Sequence, residues 1–429
     1  MKFYRKWGVF LLPVLWTACA VYQPQPIDLQ KDAEEWRQLS QKLCEGKETL
    51  SRQKLQEIGL QLNPELNAAR LAYARSTAVA EFAGLWEDPE VEGEVLRVLQ
   101  ESVTNRGAGL SLTLPVTGLP GLAAKVAQEY KESDYWAMCG QERAFSAELD
   151  ALCCRLLVTH SGIRLMRERL ASQEEELARA TKLHNLGEID FADYQVITRR
   201  LSDARKALQE RENEHQKQHA ELLKLMGLHP SLRHMEISET LPSSVPAAVA
   251  VPTAEELLEL PSIKASLSSY GASETELRAE IRRQYPEIKL NPMYALEDGN
   301  DKVGVGLGFS IPLWNRNRES IARATAERSI KKHDTVTVWR KLMQDAASLG
   351  DTQELQLRHC RAEQQRLAQQ LDAAKKQESL FALGEISLPA VADAREETFS
   401  RRMNYLECLQ NLMQTQIQLQ YLHPQTFQK

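Results

Sequence analysis

The chain has 429 residues, with 53 Lys and Arg set against 59 Asp and Glu for a formal net charge of −6. That length holds two ordinary domains or one elongated one. The charges alternate in sign along the sequence, and this excludes a nucleic-acid binder, which would gather its basic residues into a stripe.

Residues 1–19 read as a cleaved secretory signal. Lys2, Arg5 and Lys6 form a basic start, and the apolar run from Trp7 to Trp16 is too short to span a bilayer as a helix. Leu15-Trp16-Thr17-Ala18-Cys19 resembles a bacterial lipobox, in which the cysteine receives a lipid and becomes the new N-terminus, so Cys19 is the candidate lipidation site. Trp16 departs from the small or aliphatic residue usual there, and Ala18-Cys19-Ala20 also fits ordinary signal peptidase. Residues 20–60 follow as an N-terminal extension. Secretion places Cys44, Cys139, Cys153, Cys154, Cys360 and Cys408 in an oxidising compartment. They lack metal-finger spacing, so most read as small hydrophobes on packed helices.

An internal repeat organises what remains. At an offset of 197 residues, Asn63-Pro64-Glu65-Leu66 aligns with Leu260-Pro261-Ser262-Ile263, Pro89 with Pro286, and the 109–115 segment with 306–312. Leu186-Gly187-Glu188-Ile189 aligns at the same offset with the identical Leu383-Gly384-Glu385-Ile386. Repeat 1 therefore covers 61–230 and repeat 2 covers 256–424. A linker at 231–255, whose 238–252 stretch is rich in Pro, Ser, Ala and Val, separates them, and 425–429 is a tail.

Each repeat opens with a short helix, from Pro64 to about Phe82 or from Pro261 to about Arg283. Proline stands at the first helical position, where its missing N–H costs nothing, and Asn63 is placed to cap the first helix. Two runs of about ten residues follow. Val303, Val305, Leu307, Phe309 and Ile311 alternate with Gly304, Gly306, Gly308 and Ser310, preceded by Ile288, Leu290, Tyr294 and Leu296 and the turn at 297–301. Repeat 1 echoes this with Leu110, Leu112 and Leu114, and with a noisier partner holding Val91, Glu94 and Val95. Such alternation fits lipid-out, lumen-in strands and equally fits soluble hairpins packed on helices. The secretory signal and the long neighbouring helices favour the membrane. Four strands cannot close, and an open edge in lipid leaves backbone groups unpaired, so a membrane sheet requires a shared, oligomeric barrel.

Each repeat ends in a long helical pair. Leu119 to Leu186 turns at Gly187 and returns through about Leu228, while Arg318 to Leu383 turns at Gly384 and returns from Pro389 to Leu422. Leu149, Leu152, Leu156, Ile163, Met166, Leu170 and Leu177 step in heptad fashion. At about 1.5 Å per residue, a 65-residue helix is roughly 100 Å long, so its stripe must pack sideways in a bundle or helical barrel. Cys360 and Cys408 average to the turn glycine, 384, which puts them level on opposite legs, where a disulfide needs Cα atoms within about 7 Å.

These pieces resemble the outer-membrane efflux proteins, the TolC-like channels, over about 60–424. The specific parts are the duplicated short helix, hairpin and helical pair, the Ser310–Asn317 segment and the twin Leu-Gly-Glu-Ile turns. The wording Pro312-Leu313-Trp314-Asn315-Arg316-Asn317 is similar to members serving heavy-metal pumps. The resemblance implies a mainly α fold with β: a homotrimer with four strands per chain in a twelve-stranded transmembrane barrel above a helical tunnel. It implies an outer-membrane location, a periplasmic adaptor, an inner-membrane pump, outer-membrane lipid and export by a passive duct. Carried over, the adaptor docks at the periplasmic tip on Leu186, Gly187, Glu188 and Ile189 with Leu383, Gly384, Glu385 and Ile386. Family members often place an acidic residue six positions after the turn glycine; Asp193 meets this, Ala390 does not, and Asp393 is the other tunnel-mouth acid. A type I protein-secretion duct and a non-pore periplasmic coiled-coil adaptor lipoprotein are the alternatives.

No catalytic constellation is legible: there is no nucleophile elbow, phosphate-binding glycine loop or metal-ligand triad, so neither enzyme activity nor a cofactor is expected. His215 and His219 stand four apart on a helix, a spacing that metal sites use. Among Gln and Lys, a solvated face is the better reading, and no metal is expected.

Overall fold

The computed structural model describes residues 22–44, 49–98, 103–232, 236–297, 299–309 and 311–424. The expected secretory segment with Cys19, the tail 425–429 and the expected strand or turn residues Asp298 and Ser310 lie outside them. Two compact units divide the chain, Met1–Gly46 and Lys47–Lys429. The first holds helix α1 (Leu29–Leu43), which begins where the Asp28 carboxylate accepts the Gln30 and Lys31 N–H groups at 3.1 and 3.2 Å.

The second unit starts with β1 (Thr49–Leu50) and α2 (Arg52–Leu62), then runs twice through the anticipated series. In the first pass, α3 (Pro64–Phe82) leads to β2 (Glu90–Val98), β3 (Val103–Leu114), α4 (Leu119–Leu186) and α5 (Phe191–Leu225). After β4 (Glu236–Ile237) and α6 (Ala254–Leu258), the second pass is α7 (Pro261–Arg282), β5 (Ile288–Glu297), β6 (Asn300–Phe309), α8 (Arg318–Ala382) and α9 (Leu388–Gln420). Asn63 caps α3 as its position implies, its Oδ1 accepting the Leu66 N–H at 2.9 Å. Its Nδ2 also donates to the Leu225 carbonyl at 2.7 Å, tying the start of α3 to the end of α5.

Toward the strands, α3, α4, α7 and α8 pack side by side; toward the turns, α4 pairs with α5 and α8 with α9, and α9 bridges to α4. Between these halves sits a polar node. The buried Asp150 carboxylate holds Arg52 Nε at 2.7 Å and the Tyr421 hydroxyl at 2.8 Å, and Arg143 donates to the Tyr421 and His423 carbonyls. Burial pushes the Asp150 carboxyl above the usual range, against the pull of the Arg52 charge. Helix α2 seats beside this node because Gly59 has no Cβ; one there would lie 2.2 Å from the Phe145 ring. Cys153 and Cys154 are buried beside it, their thiols pushed up by burial to about 12 and about 11, which keeps them protonated hydrophobes.

The segment between the repeats is a strap along the second hairpin. The Val249 N–H and carbonyl bond Gln353 at 2.8 and 2.9 Å, Gln416 donates to the Ala247 carbonyl at 2.7 Å, and Val245 packs on Leu357, Cys360, Cys408 and Leu412. There the level cysteines are joined: Cys360 and Cys408 form a disulfide with Cα atoms 5.5 Å apart. Cross-linking residues 48 apart stabilises by about 4 kcal/mol in the loop-entropy account. A Cys360→Ser, Cys408→Ser variant should keep its helix content and unfold roughly 5 °C or more lower. Reductant should lower the wild-type midpoint toward the variant's; equal midpoints without reductant would show that the staple contributes nothing.

The long strands form one antiparallel sheet in the order β2-β3-β5-β6. Register puts Val91 opposite Leu110, Leu112 and Leu114 opposite Leu290 and Ile288, and those opposite Leu307 and Phe309, so these residues of four strands share one largely apolar face, which also carries Arg106 and Asp301. The other face carries Glu90, Glu92 and Glu94 beside Ser111, Gly109 and Gly107, then Lys289 and Asn291 beside Gly308 and Gly306. Pro292 lies within β5, and the β3–β5 ladder skips Pro292 and its neighbour Asn291 between the Met293 and Leu290 partners, where proline has no N–H to give. Among the described residues β2 and β6 each leave one edge unpaired. Among the described residues no helix is long and apolar enough to cross a membrane.

Candidate functional site: the paired hairpin tips

Both long hairpins turn on glycine in the left-handed conformation, Gly187 at φ +76° and Gly384 at φ +79°. The caps are the same in both. Gly187 and Glu188 donate to the His184 and Leu183 carbonyls at 3.0 and 2.9 Å, and Gly384 and Glu385 donate to those of Phe381 and Leu380, both at 2.9 Å. Each pair satisfies carbonyls that the ending helix leaves open.

The two tips pack on each other. Ala180, Ile197, Leu388 and Val391 form a buried cluster, against which Leu177, Leu183, Ile189, Tyr194, Phe381 and Ile386 rest. The Leu-Gly-Glu-Ile motif is therefore split by burial. Ile189 and Ile386 fold inward and hold the tips together, while Leu186 and Leu383, each 73% exposed, stand outward with Gly187, Glu188, Gly384 and Glu385.

The acidic residues fare differently. Asp193 is exposed on the first turn of α5, where its N–H donates to the Asp190 cap at 2.7 Å. Asp393, on α9, is held by Arg200 of α5 at 2.6 Å. This pair belongs to a series joining the hairpins: Arg169 grips Glu396 through two bonds of 2.7 and 2.8 Å and lies over the Phe399 ring, and Arg395 reaches Glu176 at 3.2 Å. Burial raises the Glu176 carboxyl, and Arg395 acts against that rise. Asp393 thus faces a cation and is not a free charge, a pairing that sequence spacing does not reveal because it depends on how one hairpin is rotated against the other.

Sequence reasoning also passed over Asp190 and Phe191. The first was findable, as Asp three residues before Asp193 is a helix-cap pattern. Of the His pair, His215 has the His160 ring 6.1 Å away, and among the described residues no group of three or more His, Cys, Asp or Glu side chains is arranged to hold a metal.

Comparison with known proteins places this architecture. The profile described as outer membrane efflux protein matches residues 254–423. No curated protein matches the chain in sequence. Among solved structures, CusC, reported for folding and transmembrane channel formation, is similar at a TM-score of 0.74 and 15% identity, covering 87% of this chain and 92% of that one. The outer-membrane protein VceC of Vibrio cholerae is similar at 0.73 and 13%, covering 86% and 95%. The outer-membrane channel CmeC of Campylobacter jejuni is similar at 0.75 and 11%, covering 88% and 86%. Residues 254–423 thus match the outer membrane efflux protein profile, and the chain as a whole is similar in fold to solved outer-membrane channels.

Proposed function

We propose that this protein is the outer-membrane channel subunit of a tripartite efflux system, a passive duct assembled from three copies. The observation that carries the reading is the sheet: one largely apolar face across four strands, with an open edge on β2 and on β6 among the described residues. Three such sheets joined edge to edge give twelve strands with lipid outside, Glu90, Glu92 and Glu94 toward the lumen, and no unpaired edge. Helices α4 and α8, of 68 and 65 residues, continue the wall for about 100 Å into the periplasm. Transport energy then comes from an inner-membrane pump, and a periplasmic adaptor joins the two by docking on the tip residues Leu186, Gly187, Glu188, Leu383, Gly384 and Glu385. Cys19 carries the lipid anchor. At the tunnel mouth Asp193 supplies an exposed acidic residue, whereas the Arg200 partner removes Asp393 from any acidic ring.

Expression with the native leader should yield a heat-labile trimer in the outer-membrane fraction, released only by detergent. Mass spectrometry of its N-terminus should find a lipid-modified Cys19. A monomeric, detergent-independent mature protein would overturn the channel, and an unmodified start after Ala20 would overturn the anchor alone.

A further inference from the structure

The second hairpin holds its disulfide away from solvent. Cys360 and Cys408 are 0% and 4% exposed, and their apolar cluster takes Leu357 and Leu412 from the two legs and Val245 from the strap. From that point the strap follows the groove between α8 and α9. Gln353 and Gln416 are centred on the same turn as the cysteines, so they too stand level, and both are buried where they bond Val249 and Ala247. Val251 then passes so close to α8 that a Cβ on Gly350 would lie 2.6 Å from its Cγ2. His423 Nε2 lies 2.8 Å from the Ala250 carbonyl oxygen at the same end.

Legs and strap are held by different means. Helices α8 and α9 form an extensive pair, so parting them at Cys360 breaks a long packed seam. The strap has no helix or strand between Ile237 and Ala254, and a few polar bonds with Val245 and Val251 keep it in place. Local opening takes the less costly route, which here is the strap. The offset of 197 puts Ile163 and Arg211 where Cys360 and Cys408 stand, so this arrangement belongs to the second hairpin and has no counterpart in the first.

We propose that the strap is a guard over a thiol–disulfide exchange site: the Cys360–Cys408 bond opens to a dithiol only when residues 245–251 leave the groove, so the linker between the repeats sets the redox state of the second hairpin. Exchange needs a thiolate to reach a sulfur atom, and the closed strap denies that approach. With the strap lifted, one thiolate of the dithiol bonds to one sulfur and expels the other as a thiolate, which takes up a proton. The second thiol of the partner then displaces the first sulfur. The hairpin gains two thiols, and the partner, oxidised by two electrons, leaves as a disulfide. The reverse exchange with a disulfide-bearing oxidoreductase installs the bond, and the returning strap seals it.

The test exposes the purified, oxidised full-length protein to dithiothreitol well below its unfolding midpoint, traps thiols with iodoacetamide and follows alkylation of Cys360 and Cys408 by mass spectrometry. A Gln353→Ala, Gln416→Ala variant, which loses the strap bonds and keeps the cysteines, is expected to be reduced at least about tenfold faster than wild type with its helix content unchanged. Val245→Ser leaves those bonds in place and should speed reduction about threefold; it carries the test if the double variant misfolds. Arg169→Gln cuts the bonds to Glu396 and leaves the strap alone, so its rate should stay within about twofold of wild type. Equal rates for wild type and the strap variants would overturn the guard. Equal acceleration by Arg169→Gln would show that general loosening, not the strap, admits the dithiol.

Discussion

A double variant carrying Gly187→Val and Gly384→Val should reach the outer membrane as a trimer and fail to export. Both glycines hold positive φ, and a β-branched residue there costs about 1–2 kcal/mol in backbone strain. Nothing lies within 4 Å of a Cβ built at either position, so the valines meet no neighbour and the cost stays conformational. The disulfide and the strap act well away from the turns and are untouched. What changes is the docking face: either the valine projects from the tip, or the cap opens and Glu188 and Glu385 move from their places. The measurements are native electrophoresis for the trimer, cross-linking from the adaptor to the tips, and efflux of metal salts and amphiphilic dyes. Asparagine, which tolerates the left-handed region, should restore most export at both positions. Wild-type export by the valine variant would show that the tips are only structural, and loss of the trimer would show that they do not lie at a free end.

The parts of this molecule that sequence reveals are those written locally and written twice. The repeated Leu-Gly-Glu-Ile turns, the Asn63-Pro64 helix start and the alternation of Val303 to Phe309 each depend on a few neighbouring residues, and each forms as its pattern implies. The level placement of Cys360 and Cys408 was legible, because two legs of one hairpin measured from one glycine have a simple register, but whether the two side chains face each other was not. What stayed hidden depends on rotation and on distant partners. The parallel pairing of Thr49–Leu50 with Glu236–Ile237 joins two-residue strands too short to carry a pattern. The strap bonds through backbone groups to Gln353 and Gln416, about which composition is silent. The Arg200–Asp393 pair and the contrast between exposed Phe191 and its buried counterpart Leu388 follow from how the hairpins are turned on their axes, which heptad spacing leaves open. Duplication thus made the architecture readable and concealed the places where the copies differ.

The sharpest test of the membrane barrel is a charge on the apolar face of its sheet. Leu307 lies mid-strand in β6, opposite Leu290, and is 71% exposed in the single chain, so it packs on nothing that an arginine would displace. If the sheet were a soluble hairpin layer, Leu307→Arg would be a surface change worth within about 0.5 kcal/mol. In a lipid-facing strand, arginine near the midplane costs about 2–4 kcal/mol per chain, and the cost recurs in every copy of the ring. The variant should therefore lose most of the outer-membrane trimer while its helices still fold, as circular dichroism of the detergent-extracted protein would report. The companion change, Glu92→Arg, stands on the opposite face beside Gly109. Facing a watery lumen, it should leave trimer yield near wild type and alter ion selectivity in planar-bilayer recordings, because it reverses a charge on the lining. Equal trimer yields for the two variants would remove the case for a lipid-facing sheet, and loss confined to Glu92→Arg would show that the faces are reversed.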